Sequence, residues 1–118
     1  MEQKVVITDE FIQNKIASGK KYFLRIYKVG PNINQAEDEV EQIQTEHQRN
    51  LFRLRAEGKV VINGPVLDDP ELKGIAIFNA KDKEEVKRLA DRDPAVKAGR
   101  LVYEIYAWYG LPGDCLPE

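Results

Sequence analysis

The chain has 118 residues, 42% of them hydrophobic and 32% charged, with a formal net charge of −2 and a single histidine. This is the composition of one ordinary globular domain, and so even a charge balance excludes the electrostatic footprint of a protein that binds nucleic acid or an anionic membrane. No apolar run approaches the ~20 residues of a membrane-spanning helix, the N-terminus lacks the apolar core of a secretory signal, and one cysteine, Cys115 in a tail without a nearby base, fits a reducing cytoplasm.

In chain order, residues 1–20 read as an N-terminal arm. Thr8 or Asp9 caps a short helix from Glu10 to about Ala17, with Phe11, Ile12 and Ile16 turned inward and Gly19 as its stop. Residues 21–29 read as a strand closed by Gly30-Pro31. A long helix follows from about Ala36 to Ala56, opened by Glu37, Asp38 and Glu39 and stopped by Gly58. Residues 59–63 form a second strand that Gly64-Pro65 breaks, and residues 74–80 a third. A helix from about Lys83 to Arg92 carries Glu84 and Arg88 as a solvated pair four residues apart. Residues 101–108 complete the set, and residues 110–118 form a tail. The order βαββαβ over residues 21–109 predicts an α+β, ferredoxin-like plan: a four-stranded antiparallel sheet with two helices on one face.

Two helical stripes carry the chemistry. Val40, Ile43, His47, Leu51 and Leu54 follow 3-4-4-3 spacing, so their side chains share one direction at about 100° per residue. That direction is the core, where an ionisable ring is costly without a partner. Val86, Leu89, Ala90 and Asp93 make a second stripe that also ends in a titratable group. Two helices each aiming one ionisable side chain inward point to a shared site. The plain alternative for His47 is a core histidine bonded to a backbone carbonyl. For Asp93 it is an N-cap, because Pro94 disfavours helical geometry at the preceding residue and suits the first position of a short helix.

The strands show apolar side chains on both faces. Phe23, Tyr27 and Val29 alternate with Tyr22, Leu24 and Ile26, and Leu101, Tyr103 and Ile105 alternate with Val102, Tyr106 and Trp108. Helices cover one face only, so the other is predicted to be covered by a second copy of the chain, a homodimer packed sheet to sheet.

The ordered set His47-Gln-Arg-Asn-Leu51, Glu57-Gly58-Lys-Val-Val-Ile-Asn-Gly64-Pro65 and Asp91-Arg-Asp93-Pro94-Ala-Val-Lys-Ala-Gly99 resembles the YciI-like (YCII-related) family. The resemblance implies a dimeric α+β barrel fold and a histidine–aspartate pair in a cleft, here His47 and Asp93. Ala95 stands where an aromatic is usual and Gln48 where leucine is common, so substrate choice does not carry over.

A carboxylate on one imidazole nitrogen fixes the tautomer and leaves the other nitrogen for proton transfer near neutral pH. No serine or cysteine accompanies the pair, which argues against covalent catalysis. One histidine and a tail cysteine give no metal-ligand set, and no cofactor is called for. Arg25, alternating with Phe23 and Tyr27, is a candidate to hold an anionic group of a small-molecule substrate, or else ends in a salt bridge. Gly64 and Pro65 either let a ligand approach the backbone or form a simple bulge. The expectation is a cytoplasmic, cofactor-independent enzyme of lyase, isomerase or hydrolase type. Its rival is a non-catalytic homodimer that binds a small ligand or serves as an accessory protein. An enzyme holds His47 partly accessible in a concave pocket, and a structural histidine is sealed.

Overall fold

The computed structural model describes residues 4–118. Along the chain the elements are α1 (Asp9–Ala17), β1 (Lys20–Val29), α2 (Glu37–Ala56), β2 (Val60–Pro65), β3 (Leu72–Phe78), α3 (Lys83–Asp91), α4 (Pro94–Lys97) and β4 (Leu101–Gly110). The strands pair antiparallel in the order β2-β3-β1-β4, the ferredoxin-like arrangement. Alternation along the central strand β1 sets the two faces. Phe23, Arg25 and Tyr27 are buried under the helices, while Tyr22, Leu24 and Ile26 remain half-buried on the open side.

The core lies between the sheet and the helices. Leu54 of α2 and Val86 of α3 pack with Phe23, Val60, Ala76 and Phe78, and Leu89 and Ile105 border them. The stripe on α2 does what its spacing requires: Leu51 and Leu54 are buried, and Val40, Ile43 and His47 are partly so. Ala36 gives α2 no side-chain cap, and the acidic first turn complements the helix dipole instead. Gly58 follows the helix at φ +75, a conformation that costs glycine nothing. At the other end of the sheet, the loop after β1 is tied to the chain beyond α4. Gly30 N–H donates to Arg100 O at 2.7 Å and Asn32 N–H to Gly99 O at 3.0 Å.

Four sequence expectations need correction. The apolar residues of α1 do not point inward: Phe11, Ile12 and Ile16 are all exposed, and no residue of the helix is buried. An amphipathic stripe shows that a helix has an apolar side, not that its own chain supplies a partner for it. Residues 1–3 of the expected arm lie outside the described residues. Gly64-Pro65 neither breaks β2 nor bulges. Gly64 pairs with Ile75 and Pro65 with Gly74, and the register shift falls between Val60 and Ile62. Proline is tolerated there because β2 is an edge strand. Expected over residues 74–80, the third strand instead spans Leu72–Phe78. On α3 the ion pair that forms is Lys87–Asp91 at 2.9 Å rather than Glu84 with Arg88.

Candidate active site

Asp93 is the hinge of the site. Pro94 keeps it out of the helical region, at φ −64 and ψ 126, so it stands as the N-cap of α4. Its Oδ1 accepts the Ala95 N–H at 2.9 Å, and its Oδ2 accepts the Tyr27 hydroxyl at 2.6 Å. The Nδ1 of His47 lies 2.9 Å from Oδ1 and 2.8 Å from Oδ2. One fully buried carboxylate therefore caps a helix and meets the imidazole at once. A carboxylate has about four lone-pair positions, which is enough for all three partners. Burial alone would raise the pKa of Asp93. The bonds from His47, Tyr27 and the Ala95 amide outweigh it and hold the group below its usual value.

Tyr27 and Arg25, two apart on β1, continue the arrangement inward. Burial, followed by the neighbouring Asp93, pushes the Tyr27 phenol well above its ordinary pKa despite the opposing charge of Arg25, so it stays a neutral donor. The Tyr27 ring sits 5.6 Å from the imidazole, centroid to centroid. The guanidinium of Arg25 lies 3.4 Å from the centroid of the same ring and 5.5 Å from that of Phe78. Arg25 is only 1% exposed, and its Nε has no hydrogen-bond partner among the described residues.

Beside these groups opens a cavity of about 650 Å³ between α2 and the ends of β2 and β3. It exists because the covered face of the sheet is small there. Gly74 stands opposite Tyr27 without a side chain, and Ala95 closes the wall with a single methyl. His47 reaches this cavity with 12% of its side chain exposed. The five sequence candidates thus gather at one place: His47, Arg25, Gly64 and Pro65 line the cavity, and Asp93 stands behind His47. Gln48 and Ala95, the two departures from the family pattern, line it as well.

Sequence reasoning missed the bond from Tyr27 to Asp93. The only signal was that Tyr27 shares a strand face with Arg25. It also missed the rim cations Arg55, Lys73 and Arg100, which come from three different segments. Among the described residues, no three His, Cys, Asp or Glu side chains gather into a set able to hold a metal ion.

A ferredoxin-like α+β domain with a partly accessible histidine on a buried aspartate at the mouth of a cavity is the class of protein that this fold and site define. The chain belongs to the YCII-related domain family, whose model matches residues 22–109. Among solved structures it is similar to 5-chloro-2-hydroxyhydroquinone dehydrochlorinase (TftG) from Burkholderia phenoliruptrix AC1100, in complex with 2,5-dihydroxybenzoquinone. The identity is 25% and the TM-score 0.54, over 74% of this chain and 92% of that one. Muconolactone isomerase is similar in fold, at 12% identity and a TM-score of 0.62, over 82% of this chain and 97% of that one. No curated protein matches the chain significantly in sequence.

Proposed function

We propose that this protein is a cofactor-independent enzyme that moves protons on a small organic molecule, with His47 as general base or acid and Asp93 as its positioning residue. The observation that carries this reading is the 2.8 Å contact of His47 Nδ1 with a buried carboxylate, while the ring still reaches a cavity. A sealed histidine would have argued for the rival, a non-catalytic binding protein.

The chemistry follows from the contacts. Against an ionised Asp93, the neutral imidazole carries its proton on Nδ1 and leaves the Nε2 lone pair for substrate. When Nε2 takes a proton, the imidazolium faces the carboxylate that stabilises it. Tyr27 and the Ala95 amide hold Asp93 in place by donating to it. Elimination, isomerisation or water activation all need this proton transfer, hence the lyase, isomerase or hydrolase reading. TftG, a dehydrochlorinase bound to a small cyclic quinone, supports a substrate of that size. Arg25, Gly64 and Pro65 are the substrate-binding part of the wall.

The working molecule in this reading is a cytoplasmic homodimer, joined through the open sheet face. Ile75, Val102, Tyr106 and Trp108 are 39–47% exposed there, a patch that a second sheet would bury.

The test is proton exchange in deuterated water. Small lactones, hydroxylated quinones and ketones are incubated with the protein, and loss of carbon-bound protons is followed by NMR. His47→Asn should slow exchange of an accepted compound by about 10²- to 10⁴-fold. Exchange that proceeds equally fast in His47→Asn overturns the assignment.

A further inference from the structure

Buried charges in proteins are normally paired, because an isolated ion loses its hydration without compensation. Arg25 breaks this rule. It is 1% exposed, its Nε is unpartnered, and it forms no ion pair within 4.0 Å among the described residues. Asp93 is near enough to be felt, but its carboxylate bonds to His47, Tyr27 and the Ala95 amide and not to Arg25. Stacking on Tyr27 satisfies one face of the guanidinium and none of its N–H groups.

The cavity repeats the imbalance on a larger scale. Its lining includes Arg25, Arg55, Lys73 and Arg100 and, among the described residues, no aspartate or glutamate. Arg55 donates to Asn63 Oδ1 at 3.3 Å and Arg100 to Gln35 Oε1 at 2.8 Å, both neutral acceptors. Between the cations the wall is apolar, with Ile33, Leu51, Phe52 and Leu101.

We infer that the cavity takes a small organic anion, its oxyanion on Arg25 and its apolar body against the aliphatic and aromatic wall beside His47. This rests on the cavity being the reaction site, and adds the charge and anchoring group of the substrate. The planar guanidinium can meet a carboxylate with two parallel N–H bonds, or an enolate or phenolate oxygen with one. Arg25 lies over the Tyr27 ring and that ring is 5.6 Å from the imidazole, so an anion held on Arg25 has its carbon frame on the His47 side of the cavity. An enolate formed by proton abstraction would then develop its charge in a cationic cavity.

The test uses three probes of similar shape: benzoate, 4-nitrophenolate at a pH that keeps it ionised, and neutral benzamide. Binding to the full chain is followed by the NMR signals of the Arg25 Nε–H and the His47 ring. Benzoate should bind at least about tenfold tighter than benzamide, as expected of one charge-assisted hydrogen bond. That preference should vanish in Arg25→Met, checked for folding by circular dichroism. If Arg25→Met does not fold, Arg25→Lys serves instead: it keeps the charge but not the planar fork, and should weaken benzoate several-fold. A 4-nitrophenolate preference as large as that of benzoate assigns a single-oxygen anion, and a smaller one assigns a carboxylate. Equal binding of benzoate and benzamide overturns the inference, as does a preference that survives loss of Arg25. His47→Asn should retain the preference, so failure of the acid–base reading would leave the anion site standing and is read separately.

Discussion

Each face of the sheet departs in part from the usual rule of apolar inside and polar outside. Under the helices, the central strand places a cation and a phenol at its buried positions, Arg25 and Tyr27, next to the buried Asp93. On the open face, Tyr22, Leu24, Ile26, Ile77 and Trp108 meet solvent, with Lys28 and Glu104 paired among them at 3.0 Å. A core built only for stability would not hold an unpaired guanidinium, and a face built only for solvent would not show a tryptophan at 43% exposure. In the reading proposed above, the covered face serves a ligand and the open face a second copy of the chain.

The contrast can be broken at its strongest point first. Phe78, fully buried beneath Arg25, belongs to the part of the covered face that does hold the fold together. Phe78→Ala should cost about 3–5 kcal/mol in urea unfolding. A loss under ~1 kcal/mol would show that this face is loosely packed throughout. On the other side, Trp108→Glu should leave protomer stability within ~1 kcal/mol but weaken self-association by at least tenfold, read by sedimentation. If wild type and variant sediment alike as monomers at micromolar concentration, the open face has some other purpose.

A subtler change sharpens the comparison. Asp93→Asn keeps an oxygen for the Ala95 amide but loses a charged acceptor, and should cost about 1–3 kcal/mol at pH 7. The sign of its pH dependence follows from the depressed pKa of Asp93. The stabilisation is fully present above the unfolded carboxyl value of about 4 and fades as pH falls through the lower native value. Urea midpoints of wild type and variant should therefore converge in acid. A gap that stays constant from pH 7 to below pH 3 would mean that the charge of Asp93 contributes nothing.

Much of this was legible in the residues, for local reasons. The direction of His47 follows from helical periodicity, and the cap geometry of Asp93 follows from the proline after it. Both signals act within a few residues. The link from Tyr27 to Asp93 joins groups 66 positions apart, and strand alternation reports only which face a side chain takes. The shift at Val61, rather than a bulge at Gly64-Pro65, depends on how β2 pairs with β3, which neither strand reveals alone. Phe11, Ile12 and Ile16 on α1 misled for a related reason: the stripe is real, but what lies opposite it is not a local property.

The carboxylate that three donors share also governs how this protein can change. A substitution at position 93 that removes both oxygens disturbs the start of α4 and the imidazole together, so drift there is doubly penalised. Ala95 and Gln48 line the same cavity, and neither side chain hydrogen-bonds to the shared carboxylate. Variation at these two positions can reshape the chamber while the contact of His47 with Asp93 stays whole. For the proposed enzyme, a new specificity is therefore easier to reach through the walls than through the dyad.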